Sequence, residues 1–146
     1  MVSCEEVVEE LRAKLLKGEP FSKTDEWNFR ELCELTGWTE EDVRDALVSG
    51  KVPSFDKYLV EAQGWWLGKE EAARLLWGAV TAFLCNNIKE VCALRAGCDD
   101  PLADLLVVYT KDLYRHADDY PNVAFYRRWG DCLMLFKELI ERREEI

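Results

Sequence analysis

Amides are scarce in this sequence: one Gln (Gln63) and four Asn stand against 18 Glu. High Glu with few amides is a thermophile tendency, and in a hyperthermophile an intracellular disulfide is plausible. Histidine is scarcer still, with His116 alone. The six cysteines (Cys4, Cys33, Cys85, Cys92, Cys98, Cys132) are scattered and contain no C-x-x-C pair. A zinc site needs closely spaced pairs or His partners, so no metal is expected. There is no P-loop, no G-x-G-x-x-G and no nucleophile elbow, so no catalytic residue and no cofactor is assigned. Positive charge is short: 19 Lys plus Arg against 29 Asp plus Glu give a net charge of −10. Such a surface repels a phosphate backbone, which makes nucleic acid an unfavourable partner. Long apolar runs are missing too. The stretch Ala72 to Cys85 is interrupted by Arg74 and falls short of the ~20 residues a membrane span needs. The N-terminus is acidic and amphipathic, unlike a secretory signal. No membrane association and a cytoplasmic location are expected. No run alternates apolar and polar with period two, which removes the signature of half-buried strands.

What is present is helical punctuation. The 146 residues are 49% apolar and 33% charged, enough for a folding domain to bury roughly 68–70% of its unfolded surface. Ser3-x-x-Glu6 reads as a capping box, and Gly18 with Pro20 closes the helix it opens. Thr24 is placed to cap a second helix carrying Trp27, Leu32 and Leu35 to Gly37. Thr39 is placed to cap a third, running through Val43, Ala46 and Leu47 to Gly50. Ser54 is a candidate cap for a short helix with Phe55, Tyr58, Leu59 and Ala62. The segment Lys69 to Ala96 carries apolar residues on nearly every face and predicts one long central helix of about 28 residues, roughly 42 Å. Asp100-Pro101 is an N-cap followed by Pro at the first helical position. Asn122 is placed to cap the last helix, whose stripe is Phe125, Trp129, Cys132, Leu133, Phe136 and Ile140. The expectation is an all-α, multi-helix bundle of about seven helices, the last three long. A seam near Val52 to Ser54 separates residues 1–52, three short helices that can form a small N-terminal subdomain, from a helical bundle over residues 53–146. Cys85 and Cys92, seven apart, share a helical face and read as small core residues. Cys92 and Cys98 can pair only if the chain turns back sharply after Gly97.

Five features bear on function. Glu31 to Leu47 has the skeleton of a helix-turn-helix, with Cys33 in the first helix, Gly37 in the turn and Thr39 capping the second. The following Gly50-Lys51-Val52-Pro53 resembles the exit from the recognition helix in excisionase-type DNA-binding domains. That helix presents Glu40, Glu41, Asp42 and Asp45 against Arg44 alone, the wrong sign for phosphate contact. Trp65 and Trp66, between Gly64 and Gly68, point in different directions and are candidate interface anchors. Asn86 and Asn87 follow the most apolar run and are candidate pocket residues, since a buried amide needs partners. His116, Asp118 and Asp119 gather near a helix end, where carboxylates offer oxygen ligands to a divalent cation and His116 suits the negative helix terminus.

The fifth feature is a resemblance. Lys57-Tyr-Leu-Val-Glu-Ala-Gln63, Gly68 and Glu71-Ala-Ala-Arg-Leu-Leu-Trp-Gly-Ala-Val80, within Lys57 to Ala96, resemble the helical-hairpin core of HEPN-like archaeal proteins. The resemblance implies a short helix, a glycine-containing turn and a long Ala- and aromatic-rich helix. HEPN nucleases carry an Arg and a His separated by four to six residues on one helix. Here Arg115 directly adjoins His116, so the resemblance implies the scaffold without RNA cleavage. The expected function is a non-enzymatic helical interaction or regulatory module that binds a protein partner or itself as a homo-oligomer. One alternative is a DNA-binding regulator using Glu31 to Leu47 with a basic patch from Lys51, Lys57, Arg127 and Arg128. The other is a metal- or nucleotide-dependent enzyme on the HEPN-like scaffold.

Overall fold

The computed structural model describes residues 3–64 and 67–144. The architecture is an all-α bundle with, among the described residues, seven α-helices: α1 (Cys4–Lys17), α2 (Lys23–Thr36), α3 (Glu40–Ser49), α4 (Phe55–Ala62), α5 (Lys69–Leu84), α6 (Pro101–His116) and α7 (Asn122–Glu144). Two 3-10 segments, Ile88–Arg95 and Ala117–Asp119, join α5 to α6 and α6 to α7. Among the described residues there is no β-strand, and one isolated antiparallel bridge pairs Lys51 with Asn87.

Local chemistry sets most boundaries. Ser3 Oγ accepts the Glu6 N–H at 3.2 Å, and Gly18 closes α1 in the left-handed region. Thr39 Oγ1 accepts the Asp42 N–H, and Asp100 Oδ1 accepts the Leu102 N–H ahead of Pro101. These bonds satisfy donors a helix start leaves free. At α2 the cap is Ser22 rather than Thr24. Ser22 Oγ accepts the Asp25 N–H while Asp25 returns a bond to the Ser22 N–H, a reciprocal box that starts the helix before Thr24 is reached. Asp25 is buried, and its pairing with Lys14 of α1 together with the Ser22 bonds holds its carboxyl below the usual range. Ser54 makes no side-chain capping bond. Asn122 lies inside α7, whose first bond runs from the Phe125 N–H to Pro121 O.

The Lys69–Ala96 segment is not one rod. α5 ends at Leu84, and Cys85 and Asn87 are extended. Asn87 Oδ1 accepts the N–H groups of Lys89 and Glu90, while Glu90 Oε2 accepts the Asn86 N–H at 2.6 Å. Asn side chains compete for backbone groups in this way, so the Asn86-Asn87 pair turns the chain into the 3-10 segment. The shortened helix keeps the central place. Ala72, Ala73 and every residue from Leu75 to Ala82 are buried, and α2, α4, α6 and α7 all pack on α5. Cys85 is a buried core residue, while Cys92 is half-buried against the core. Cys92 is disulfide-bonded to Cys4, with the Cα atoms 6.0 Å apart, so the bond fastens the 3-10 segment to the start of α1. Cys33, Cys85, Cys98 and Cys132 are free thiols.

One of the places where residues 3–52 meet the rest is a pair of glycines that face each other. Gly37, at φ +75, ends α2 against Gly78 in the middle of α5. A Cβ on Gly37 would lie 2.9 Å from Arg74 O and 3.2 Å from Gly78 N. Reciprocal bonds surround this contact. Trp38 Nε1 donates to Gly78 O at 2.9 Å, Trp77 Nε1 to Leu35 O at 2.8 Å, and Arg74 to Gly37 O at 2.8 Å. Tyr58 of α4 accepts the Thr39 N–H at 3.0 Å and donates to Asp42.

Gly37→Ala places a side chain in the left-handed region and against fixed backbone. We expect a loss of about 2–4 kcal/mol, read from urea denaturation; an unchanged midpoint would refute the close approach. Cys4→Ser opens a loop of sequence separation 88. Loop-closure entropy for a ring of that size is roughly 4–5 kcal/mol. Calorimetry should show Tm lower by about 10–15 °C, and dithiothreitol should lower the parent protein's Tm to the same value.

Candidate functional site

Two concavities of the bundle adjoin. The larger, about 650 Å³, lies between α2 (Glu31, Glu34, Leu35), the start of α5 (Glu70, Glu71, Arg74) and the end of α6 with its 3-10 turn (Tyr114 to Asp119). The smaller, about 220 Å³, lies between α1 and α2 and is lined by Cys4, Val7, Trp27, Asn28, Leu32 and residues of its neighbour. Glu31, Leu35 and Arg95 line both. Together they form one groove with an apolar end and a charged end.

The apolar end follows from the helical repeat. Trp27, Glu31 and Leu35 are four apart, so they stack along one face of α2. Leu32 is buried beneath them, Leu35 is half-buried, and Trp27 is 61% exposed. An indole that open to water leaves most of its apolar area unused. The Cys4–Cys92 bond holds the floor, since Cys4 lines the cavity and Cys92 anchors the segment that carries Arg95.

At the charged end Arg74 is fully committed. It pairs with Glu71 through two bonds, 2.6 and 3.2 Å, and reaches Gly37 O. Glu31, Glu34, Glu70, Asp118 and Asp119 remain, all exposed, opposite Arg95 and Arg115. Neither of those two arginines forms an ion pair among the described residues. Asp118, on the same cavity wall, raises the Glu70 pKa. His116 Nδ1 lies 3.3 Å from Asp119 Oδ2, with both side chains exposed. Burial raises the pKa of the half-buried Tyr114 phenol. Lys69 donates to Tyr120 O at 2.7 Å, holding the turn after α6 against α5. The arrangement offers electrostatic and apolar contact. Among the described residues no three His, Cys, Asp or Glu side chains converge as a metal ion needs.

The residues singled out from sequence divide. Trp65 and Trp66 fall outside the described residues. Asn86 is exposed, and Asn87 spends its Oδ1 as a cap. Asn87 lines a separate hollow of about 230 Å³ with Arg12, Gly50, Ile88 and Lys89, and Asn86 is not on its wall. His116, Asp118 and Asp119 do share the groove. Sequence reasoning missed Trp27, Glu31, Leu35 and Arg95 as a set. The four-residue spacing on α2 was the available signal, but an apolar stripe at that spacing is ordinarily core. A further cavity of about 400 Å³ holds the free thiols Cys85 and Cys98. Burial pushes the Cys85 thiol up to about 12 and raises that of Cys98, leaving both poor nucleophiles at neutral pH. No family model, curated protein or solved structure matches this chain, and among the described residues no helix is long and apolar enough to cross a membrane.

The Glu70–Asp118 interaction has a sign. An acid whose folded pKa is raised disfavours folding once pH exceeds its unfolded value. Glu70→Gln should therefore raise Tm at pH 7, and the gain should vanish below about pH 4. A Tm series across pH checks this, and a gain equal at both ends would refute it.

Proposed function

We propose that the protein is a non-enzymatic helical interaction module whose groove between α2, α5 and α6 receives a segment of a protein partner. One observation carries the reading: the two concavities share Glu31, Leu35 and Arg95, so an exposed indole and a charged cleft stand side by side. Apolar anchors beside charged rims are the usual anatomy of a recognition surface. The groove walls are also fixed in advance. The Gly37–Gly78 contact sets α2 against α5, and the disulfide sets Arg95 against α1, which lowers the ordering cost of binding. The proposed location is cytoplasmic.

Two other readings draw less support. For DNA binding, the outward side of α3 carries exposed Glu40, Glu41 and Asp45, and its single arginine, Arg44, lies over the Phe29 ring at 5.3 Å. Of the basic residues that would form the distant patch, Lys57 pairs with Asp42 and Arg128 lies over Tyr109 at 4.4 Å. For an enzyme on a HEPN-like scaffold, the groove's acids and His116 are all exposed rather than held in a desolvated cleft.

A photo-crosslinking amino acid at position 27, introduced in the native host, tests the proposal. It should trap a discrete partner, and the trap should be lost when Leu35→Glu is added. The same probe at position 60, which is 71% exposed on α4 and outside the groove, should trap nothing. Equal yields at both positions, or no product at 27, would overturn the reading. A product of twice the chain's own mass would identify the partner as a second copy.

A further inference from the structure

Resting on that groove reading, we infer that its occupant is a basic segment of a different protein, bearing one large apolar side chain that seats beside Trp27 while its Lys and Arg side chains lie along Glu31, Glu34, Glu70, Asp118 and Asp119. The apolar seat is small, about 220 Å³, and is walled by Val7, Leu32, Leu35 and the Trp27 indole, which suits a single side chain. Beyond the Glu71–Arg74 pair, five carboxylates face two guanidinium groups. Opposed charge across the cleft would attract a cation and repel an acidic or phosphorylated chain. Glu70 and Asp118 line the same cavity, and their mutual repulsion is relieved when a cation sits near both. Arg95 and Arg115 are available to main-chain carbonyls of an extended segment.

Charge also decides against a second copy. This chain carries a net −10, so another copy brings the same sign toward the same surface. Its own basic C-terminal pair is already engaged: Arg142 with Asp100, and Arg143 over the Phe83 ring at 4.5 Å.

The test uses the full chain and a fluorescein-labelled twelve-residue peptide of alternating Lys and Ser with one Phe near its end, followed by fluorescence polarisation. Two companion peptides replace Phe by Ala, or every Lys by Glu. The Lys/Phe peptide should bind, and the Glu peptide should not. Glu34→Gln with Asp118→Asn should weaken binding about three- to tenfold. The charge-matched pair Glu5→Gln with Glu10→Gln, on exposed positions of α1 outside the groove, should leave it unchanged. Trp27→Ala should weaken the Phe peptide to the level of the Ala peptide and leave the Ala peptide unaffected. Circular dichroism confirms that each variant stays folded. Equal losses from the groove and α1 pairs, or equal binding of the Glu peptide, would overturn the inference. So would mass-spectrometric mapping of the position-27 crosslink to a neutral or acidic partner segment. That last result leaves the groove reading standing, whereas no crosslink at all removes the groove itself.

Discussion

Two helices touch backbone to backbone only where neither offers a side chain, and Gly37 against Gly78 is that place here. The contact brings carbonyls close enough for two indoles and a guanidinium to reach across, each donating to a backbone oxygen of the opposite element. Buried donors and acceptors left without partners cost about 1–3 kcal/mol apiece, so the bonds and the close approach enforce one another. Tyr58 brings α4 into the same arrangement through Thr39 and Asp42. Removing the closeness would strand several buried polar groups at once. The orientation of α2, and with it the Trp27–Glu31–Leu35 face, is inherited from this contact.

The groove is therefore a by-product of packing as much as of surface composition. The α2 face stands free because the α2–α3 turn sits on α5, while the N-terminus of α1 and the Ile88–Arg95 segment close one end. Arg74 shows how the same residues serve both purposes. Its bond to Gly37 O holds the turn, and its pairing with Glu71 silences one carboxylate of the cleft. The remaining acids lie on three different elements, none of which would present a strongly acidic concavity alone.

Much of the fold was legible in the sequence because helix ends are written locally. Ser3, Thr39 and Asp100 with Pro101 act within three residues of where they stand, and the glycines at 18, 37 and 50 close their helices in the left-handed region. The break after Leu84 was not legible. Ile88, Val91 and Leu94 continue the apolar pattern and are buried, so periodicity runs on while the backbone changes type. Pairing of Cys4 with Cys92 was equally hidden, because a bond across 88 positions leaves no spacing to read. The groove escaped because solvent exposure of Trp27 depends on what fails to cover it, which is a tertiary fact. His116, Asp118 and Asp119 were visible as a cluster, and the structure adds their neighbours from α2 and α5.

The covalent ring closed by Cys4 and Cys92 has a mechanical consequence. Tension applied to the two ends of the chain passes through the sulfur bridge and bypasses everything between those positions. While the bridge is intact, the residues between 4 and 92 cannot be drawn out. Contour length of about 300 Å, from the 88 intervening steps, stays hidden until the bridge is cut. A stretched molecule would thus give up α6 and α7, while α2 to α5 could lose their packing but not be extended end to end.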